Sequence, residues 1–100
     1  MTVTTNLDGA KLTVRAEGKL GTTSAPELEN AVKNNIKGVT ELIFDFEKLE
    51  YMASAGLRVL LSAAKVMKKQ GSMKIINVTE PVMDVFTFTG MADVMDIEKL

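Results

Sequence analysis

The feature that most restricts the fold of this chain is a strand-like apolar run followed, across a serine, by a long amphipathic helix. Leu42-Ile43-Phe44-Asp45-Phe46 is apolar and rich in β-formers, as a buried strand is. Beyond the stretch Tyr51-Met52-Ala53-Ser54-Ala55-Gly56-Leu57, the residues Leu57, Leu60, Leu61, Ala64 and Met67 recur at helical spacing. Arg58, Ser62, Lys65, Lys68 and Lys69 lie largely on the other side. Gly71 behind Lys68-Lys69 reads as a left-handed C-cap, and Ser54 as the N-cap.

The rest of the chain supplies strands and helices that this unit can pack against. Val3, Thr5 and Leu7 alternate with polar residues, as do Leu12, Val14 and Ala16, and Asp8-Gly9 between them reads as a hairpin turn. Gly18 and Gly21 flank Lys19-Leu20 and predict that the second strand ends there in a loop. Ser24-Ala25-Pro26-Glu27 has the spacing of a capping box. It opens a helix with Leu28, Ala31, Val32 and Ile36 on its apolar face and Gly38 at its end. A strand over Ser72–Val78 follows the central helix. Thr79-Glu80-Pro81 then opens a third helix with Val82, Val85, Phe86 and Met83 inward, ended by Gly90. A last short strand is expected around Val94 to Ile97.

The resulting order is β-β-α-β-α-β-α with a final β, and its strand-helix-strand crossovers imply parallel pairing under helices. One hundred residues, 46% of them hydrophobic, are enough for one core and one α/β domain, 1–100. Met67 and Met73 fit core positions, whereas Met52, Met91 and Met95 are less easily placed: each can fill a gap in the core, and Met52, close to Ser54, is also a candidate contact residue.

Composition removes several functions. The chain has no Cys and no His, which leaves no thiol nucleophile, no imidazole base and no zinc-type ligand set. Neither a cofactor nor a metal is expected. Twelve basic residues against thirteen acidic ones give a net charge of −1, without the basic excess of a nucleic-acid binder. No signal-peptide pattern and no membrane-length apolar run is present, so a cytoplasmic protein with no direct membrane insertion is expected.

Ser54 has two readings on spacing alone. It can cap its helix, or it can accept a phosphoryl group, because a helix start stabilises an oxyanion through unpaired N–H groups and a partial positive charge. Its use as an enzymatic nucleophile lacks an activating base and a Gly-x-Ser-x-Gly elbow. Asp45, near the end of its strand, either belongs to a crevice beyond the sheet or caps a neighbouring loop.

The element order, the strand Leu42–Phe46, the stretch Tyr51–Leu57, Lys68-Lys69-Gln70-Gly71 and Phe86-Thr87-Phe88-Thr89-Gly90-Met91 together resemble a STAS domain of the bacterial anti-sigma factor antagonist family. The resemblance covers nearly the whole chain. It implies a small mixed sheet with helices packed mainly on one face. It also implies a non-enzymatic protein whose partner is an anti-sigma factor with serine kinase activity. In that family the unphosphorylated protein binds the anti-sigma factor and frees the sigma factor, and phosphorylation of the serine matching Ser54 ends the binding. The implied contact residues are Lys19, Gly21, Thr22, Thr23, Met52, Ala53, Ser54, Ala55, Gly56 and Arg58.

Three positions depart from the family pattern. Its leading Asp is Ala53 here, its Ser/Thr after the acceptor is Ala55, and its Gly-Glu-Leu/Ile-Asp reads Gly18-Lys19-Leu20-Gly21. Two acidic groups that could help a kinase are therefore absent. The alternative expectation is a non-phosphorylated STAS docking subunit in a signalling or transporter assembly.

Overall fold

The computed structural model describes all residues, 1–100. Strands β1 (Thr2–Asp8) and β2 (Lys11–Leu20) form an antiparallel hairpin around Gly9-Ala10. Gly9 takes the positive φ of +61° that so short a turn requires. There follow α1 (Ala25–Lys33), β3 (Glu41–Asp45), β4 (Leu49–Met52), α2 (Ser54–Gln70), β5 (Ser72–Val78), α3 (Glu80–Phe88), a single 3₁₀ turn at Met91–Asp93, and β6 (Ile97–Lys99). The sheet runs β1-β2-β3-β5-β6, with β4 paired to β2 off that path. Every pairing after the hairpin is parallel, as strands joined by helical crossovers must be.

Period-2 alternation divides the sheet into two faces. Leu12, Val14 and Ala16 of β2, Leu42 and Phe44 of β3, and Ile75 of β5 are buried. They share one core with Leu28 and Val32 of α1, Leu57, Leu60 and Met67 of α2, and Val82 and Phe86 of α3. Each large apolar side chain so buried contributes about 1.5–3 kcal/mol. Lys11, Thr13, Arg15, Glu41, Asp45 and Lys74 occupy the alternate positions on the face that no helix covers, where Arg15 pairs with Asp45 and Lys74 with Glu98. The one-sided helix layer and the mixed sheet agree with the expected fold class.

Several boundaries differ from the sequence reading, each for a local reason. The expected order lacked β4. Its burial runs buried, exposed, exposed, buried, so Leu49 and Met52 stand three apart and give no alternation. The first helix stops at Lys33 rather than near Gly38, because the Asn35 side chain takes the Ala31 carbonyl and leaves the helical path. Gly71 is extended, with φ 170°, and not left-handed. It is glycine because a Cβ there would overlap the Thr40 carbonyl, which accepts from Ser72 N–H. The last strand lies at Ile97–Lys99 and pairs with β5, a few residues beyond its expected place.

Candidate functional site

Strand β2 does not end at Gly18 as its two glycines suggested. It pairs with β3 as far as Arg15↔Asp45, turns at Gly18, where φ is +98°, and then pairs with β4 through Gly18↔Leu49, Lys19↔Tyr51 and Leu20↔Met52. Gly18 N–H donates to the Lys48 carbonyl at 3.0 Å, and Glu17 pairs with Lys48 at 3.5 Å, which fixes the crossing. Strands β2 and β4 therefore end side by side, and the segments that leave them, Gly21–Ser24 and Ala53–Ser54, start from adjacent points.

The start of α2 is fastened to that pair. Ala53 N–H donates to the Leu20 carbonyl at 2.8 Å. Gly56, in the first turn, lies so close to β2 that a Cβ would stand 2.6 Å from Leu20 Cδ2 and 3.0 Å from Met52 Cγ. Glycine is required here for space, and the helix end can rest directly on Leu20. Met52 and Gly56, expected among the contact residues, are both buried under the site; Met52 is 1% exposed. They support the surface from below.

Ser54 is the first helical residue and not the cap. The cap position belongs to Ala53, in extended conformation (φ −98°, ψ 174°), and no side chain closes the helix start. The Ser54 side chain is exposed and makes no capping bond. No acidic residue stands in the first turn of α2, so the chain supplies no negative charge to its positive end. Arg58, one turn further along the same face, is exposed as well. Of the other expected contact residues, Lys19, Thr22 and Thr23 are exposed and Gly21, Ala53 and Ala55 half-buried.

The other hydroxyls expected to cap helices are committed elsewhere. Ser24 has a helical backbone conformation (φ −99°, ψ −16°), which turns its side chain away from the first-turn N–H groups. Its Oγ accepts from Gly21 N–H at 2.8 Å and donates to the Lys19 carbonyl at 2.9 Å, so it ties the loop beside Ser54 instead of completing a capping box. Thr79 Oγ1, at the start of α3, donates to the Leu49 carbonyl at 3.2 Å and holds β4 in place. No sequence signal pointed to that contact, because it depends on β4.

Asp45 sits where β2 leaves β3. Oδ1 accepts from Asn77 Nδ2 and from Glu47 N–H, both at 3.1 Å, and Oδ2 accepts from Arg15 Nε at 3.2 Å. Partial burial pushes its carboxyl pKa up, but the bonds from Asn77, Glu47 and Arg15, with the Arg15 charge, outweigh that and hold it below the ordinary value. Asn77 adopts a left-handed φ of 57°, a conformation that Asn tolerates better than most residues. Asp45 thus caps the loop that leads into β4, and it also lines an open cleft of about 280 Å³ with Arg15, Glu17, Glu47 and Lys48. The loop-capping reading of Asp45 holds. In that cleft the carboxylates of Asp45 and Glu17 are paired with Arg15 and Lys48.

Comparison with known proteins agrees with this architecture. The STAS domain family profile matches residues 2–99. The chain is 33% identical over 85 residues to the anti-sigma-B factor antagonist of Bacillus subtilis (strain 168), an alignment covering 84% of this chain and 78% of that protein. The fold superposes on the anti-sigma factor antagonist SpoIIAA in its unphosphorylated form with a TM-score of 0.83 at 22% identity, covering 96% of this chain and 87% of the other. It also superposes on the Bacillus SpoIIAA in the phosphorylated form, with a TM-score of 0.76 at 21% identity, covering 96% and 90%. With a profile match over almost its full length and a relative above 30% identity, this chain belongs to the STAS domain family.

Proposed function

We propose that this protein is an anti-sigma factor antagonist acting in the cytoplasm. It docks an anti-sigma factor through the first turn of α2 and the adjoining loop, and so releases a sigma factor. Ser54 is the switch. The observation that carries this reading is the state of its hydroxyl: of the three hydroxyls at helix starts, Ser24 and Thr79 are tied to main-chain partners, whereas Ser54 is exposed and uncapped.

The partner serves as a serine kinase. The γ-phosphoryl group of ATP passes to Ser54 Oγ, ADP leaves, and the hydroxyl proton goes to a base of the kinase, because Ala53 and Ala55 provide none. The product carries about −1.5 to −2 charges at a helix start, where the N–H groups and the field tolerate an anion. The helix therefore stays intact while a large hydrated charge occupies the centre of the docking surface and must be desolvated for the partner to return. The chain contributes an acceptor and a surface, not an enzymatic activity of its own.

The test is intact-mass spectrometry after incubation with ATP and the candidate anti-sigma kinase, followed by calorimetric titration of each form with that kinase. One added phosphate, absent in Ser54→Ala, together with loss of binding in the phosphorylated form, supports the switch. Binding without phosphorylation by an active kinase removes the switch and leaves a constitutive antagonist, for which the alanines at 53 and 55 speak. Absence of binding to any anti-sigma factor overturns the antagonist in both its switched and its constitutive form, and favours the second reading, a non-phosphorylated STAS docking subunit of a signalling or transporter assembly.

A further inference from the structure

The sheet has three strand edges, and they are guarded unequally. β6 is three residues long, carries Glu98 and Lys99, and meets β5 in broken register. β4 is four residues long and is flanked by α3, whose Thr79 reaches its Leu49 carbonyl. β1 is the least protected, with one charge, Asp8, at its end. Its seven residues, Thr2-Val3-Thr4-Thr5-Asn6-Leu7-Asp8, contain no proline, no lysine and no bulge, and pair continuously with β2 on one side and with nothing on the other. Natural sheets seldom leave so long and regular an edge open.

The backbone determines which groups this edge offers. The Ala10 carbonyl is turned to β3, where it accepts from Thr40 and Glu41 N–H, so Lys11 addresses β1 and exchanges its bonds with Asp8 across the two-residue turn. By alternation Thr2, Thr4 and Asn6 also bond to β2. Val3, Thr5 and Leu7 therefore direct their N–H and C=O groups outward. Their side chains lie on the helix-covered face, opposite buried Ala16, Val14 and Leu12, and Leu7 is nonetheless 54% exposed.

We infer that β1 is a self-association edge, and that a second copy of this chain adds its own β1 antiparallel across a two-fold axis at Thr5. The strand is self-complementary about that residue. Thr5 meets its own counterpart, and Val3 meets the other copy's Leu7, in pairs that use the outward backbone groups just identified and exchange both N–H···O bonds. The half-exposed leucine is covered by a valine, which extends the apolar layer beneath both sets of helices. On the bare face Thr4 meets Asn6 and Thr2 meets Asp8, so no like charges oppose one another. A shift by one residue would place the inward-bonded groups at the interface and is excluded by the same alternation. A seven-residue edge is small beside the roughly 20–30 residues a side of a stable interface, so the dimer is weak and concentration-dependent. It involves none of the residues proposed for the phosphorylation switch and stands independently of that reading.

Sedimentation velocity of the full chain from micromolar to millimolar concentration tests this, together with hydrogen exchange at both extremes. A monomer–dimer equilibrium is expected, with the amides of Val3, Thr5 and Leu7 gaining protection only at high concentration. Thr5→Pro removes the central donor from both copies and should weaken association by about tenfold or more. Thr5→Lys, which needs no change of backbone angle, places two cations face to face and should do the same while circular dichroism stays unchanged. A monomer at every concentration overturns the inference. So does a dimer that survives both substitutions or leaves those three amides unprotected, since it would use another surface.

Discussion

The starts of α1 and α2 both carry a serine, and they show how one residue type serves opposite ends. At α1, Ser24 Oγ bridges Gly21 N–H and the Lys19 carbonyl, so its hydroxyl is consumed in shaping a loop. At α2, Ser54 follows an extended Ala53 and extends into solvent with no capping bond. The fold needs the first hydroxyl. It leaves the second available for chemistry, and the two lie on neighbouring segments because β2 and β4 end together.

The contrast breaks first at the residue both segments share. Leu20 is fully buried, its carbonyl receives Ala53 N–H, and its side chain fills the space that Gly56 leaves. Leu20→Ala should cost about 2–5 kcal/mol of unfolding free energy in urea denaturation and loosen both helix starts in hydrogen exchange. If only one loosens, the two are not coupled through Leu20. Next in size is the comparison of the serines themselves. Ser24→Ala should cost about 1–3 kcal/mol, because it leaves the part-buried Gly21 N–H unpaired, whereas Ser54→Ala should stay within about 0.5 kcal/mol of the parent. Equal costs would show that Ser54 is also a structural serine.

The smallest effect concerns the loop that feeds only α2. Asp45 has its pKa depressed in the folded chain, so its contribution is complete above the ordinary carboxylate range. It is lost as pH falls through the depressed folded value, where the native state must take up the proton. Asp45→Asn should remove about 1 kcal/mol at neutral pH and flatten the acid limb of the stability profile. A variant with an unchanged acid limb would show that Arg15 and Asn77 do not stabilise the charge. Protection at α1 should not change in either form.

Much of the fold was legible because it follows periodicity. The hairpin, β3, β5 and the long α2 all carry regular apolar spacing, and their positions came out within a few residues. The position of the candidate site was legible in outline, since Ser54 stands at the strand-to-helix joint where the apolar pattern changes period. What was hidden depends on contacts distant in sequence. Leu49-Glu50-Tyr51-Met52 is too short and irregular to read as a strand, and only its pairing with β2 past Gly18 defines it. Without β4, Met52 is not easily placed, and the roles of Leu20, Thr79 and Gly56 cannot be seen. Serine and threonine before a helix predicted caps, but the preceding loop claimed the Ser24 hydroxyl, β4 claimed that of Thr79, and Ala53 took the cap position at Ser54's helix.

The single bond from Ala53 N–H to the Leu20 carbonyl has a further consequence. It joins two stretches far apart in the chain, so the epitope around Ser54 is discontinuous and exists only after the sheet has closed. A synthetic peptide spanning the serine would carry the right letters and lack the neighbouring loop. A partner that docks on both segments, as proposed, requires the folded chain.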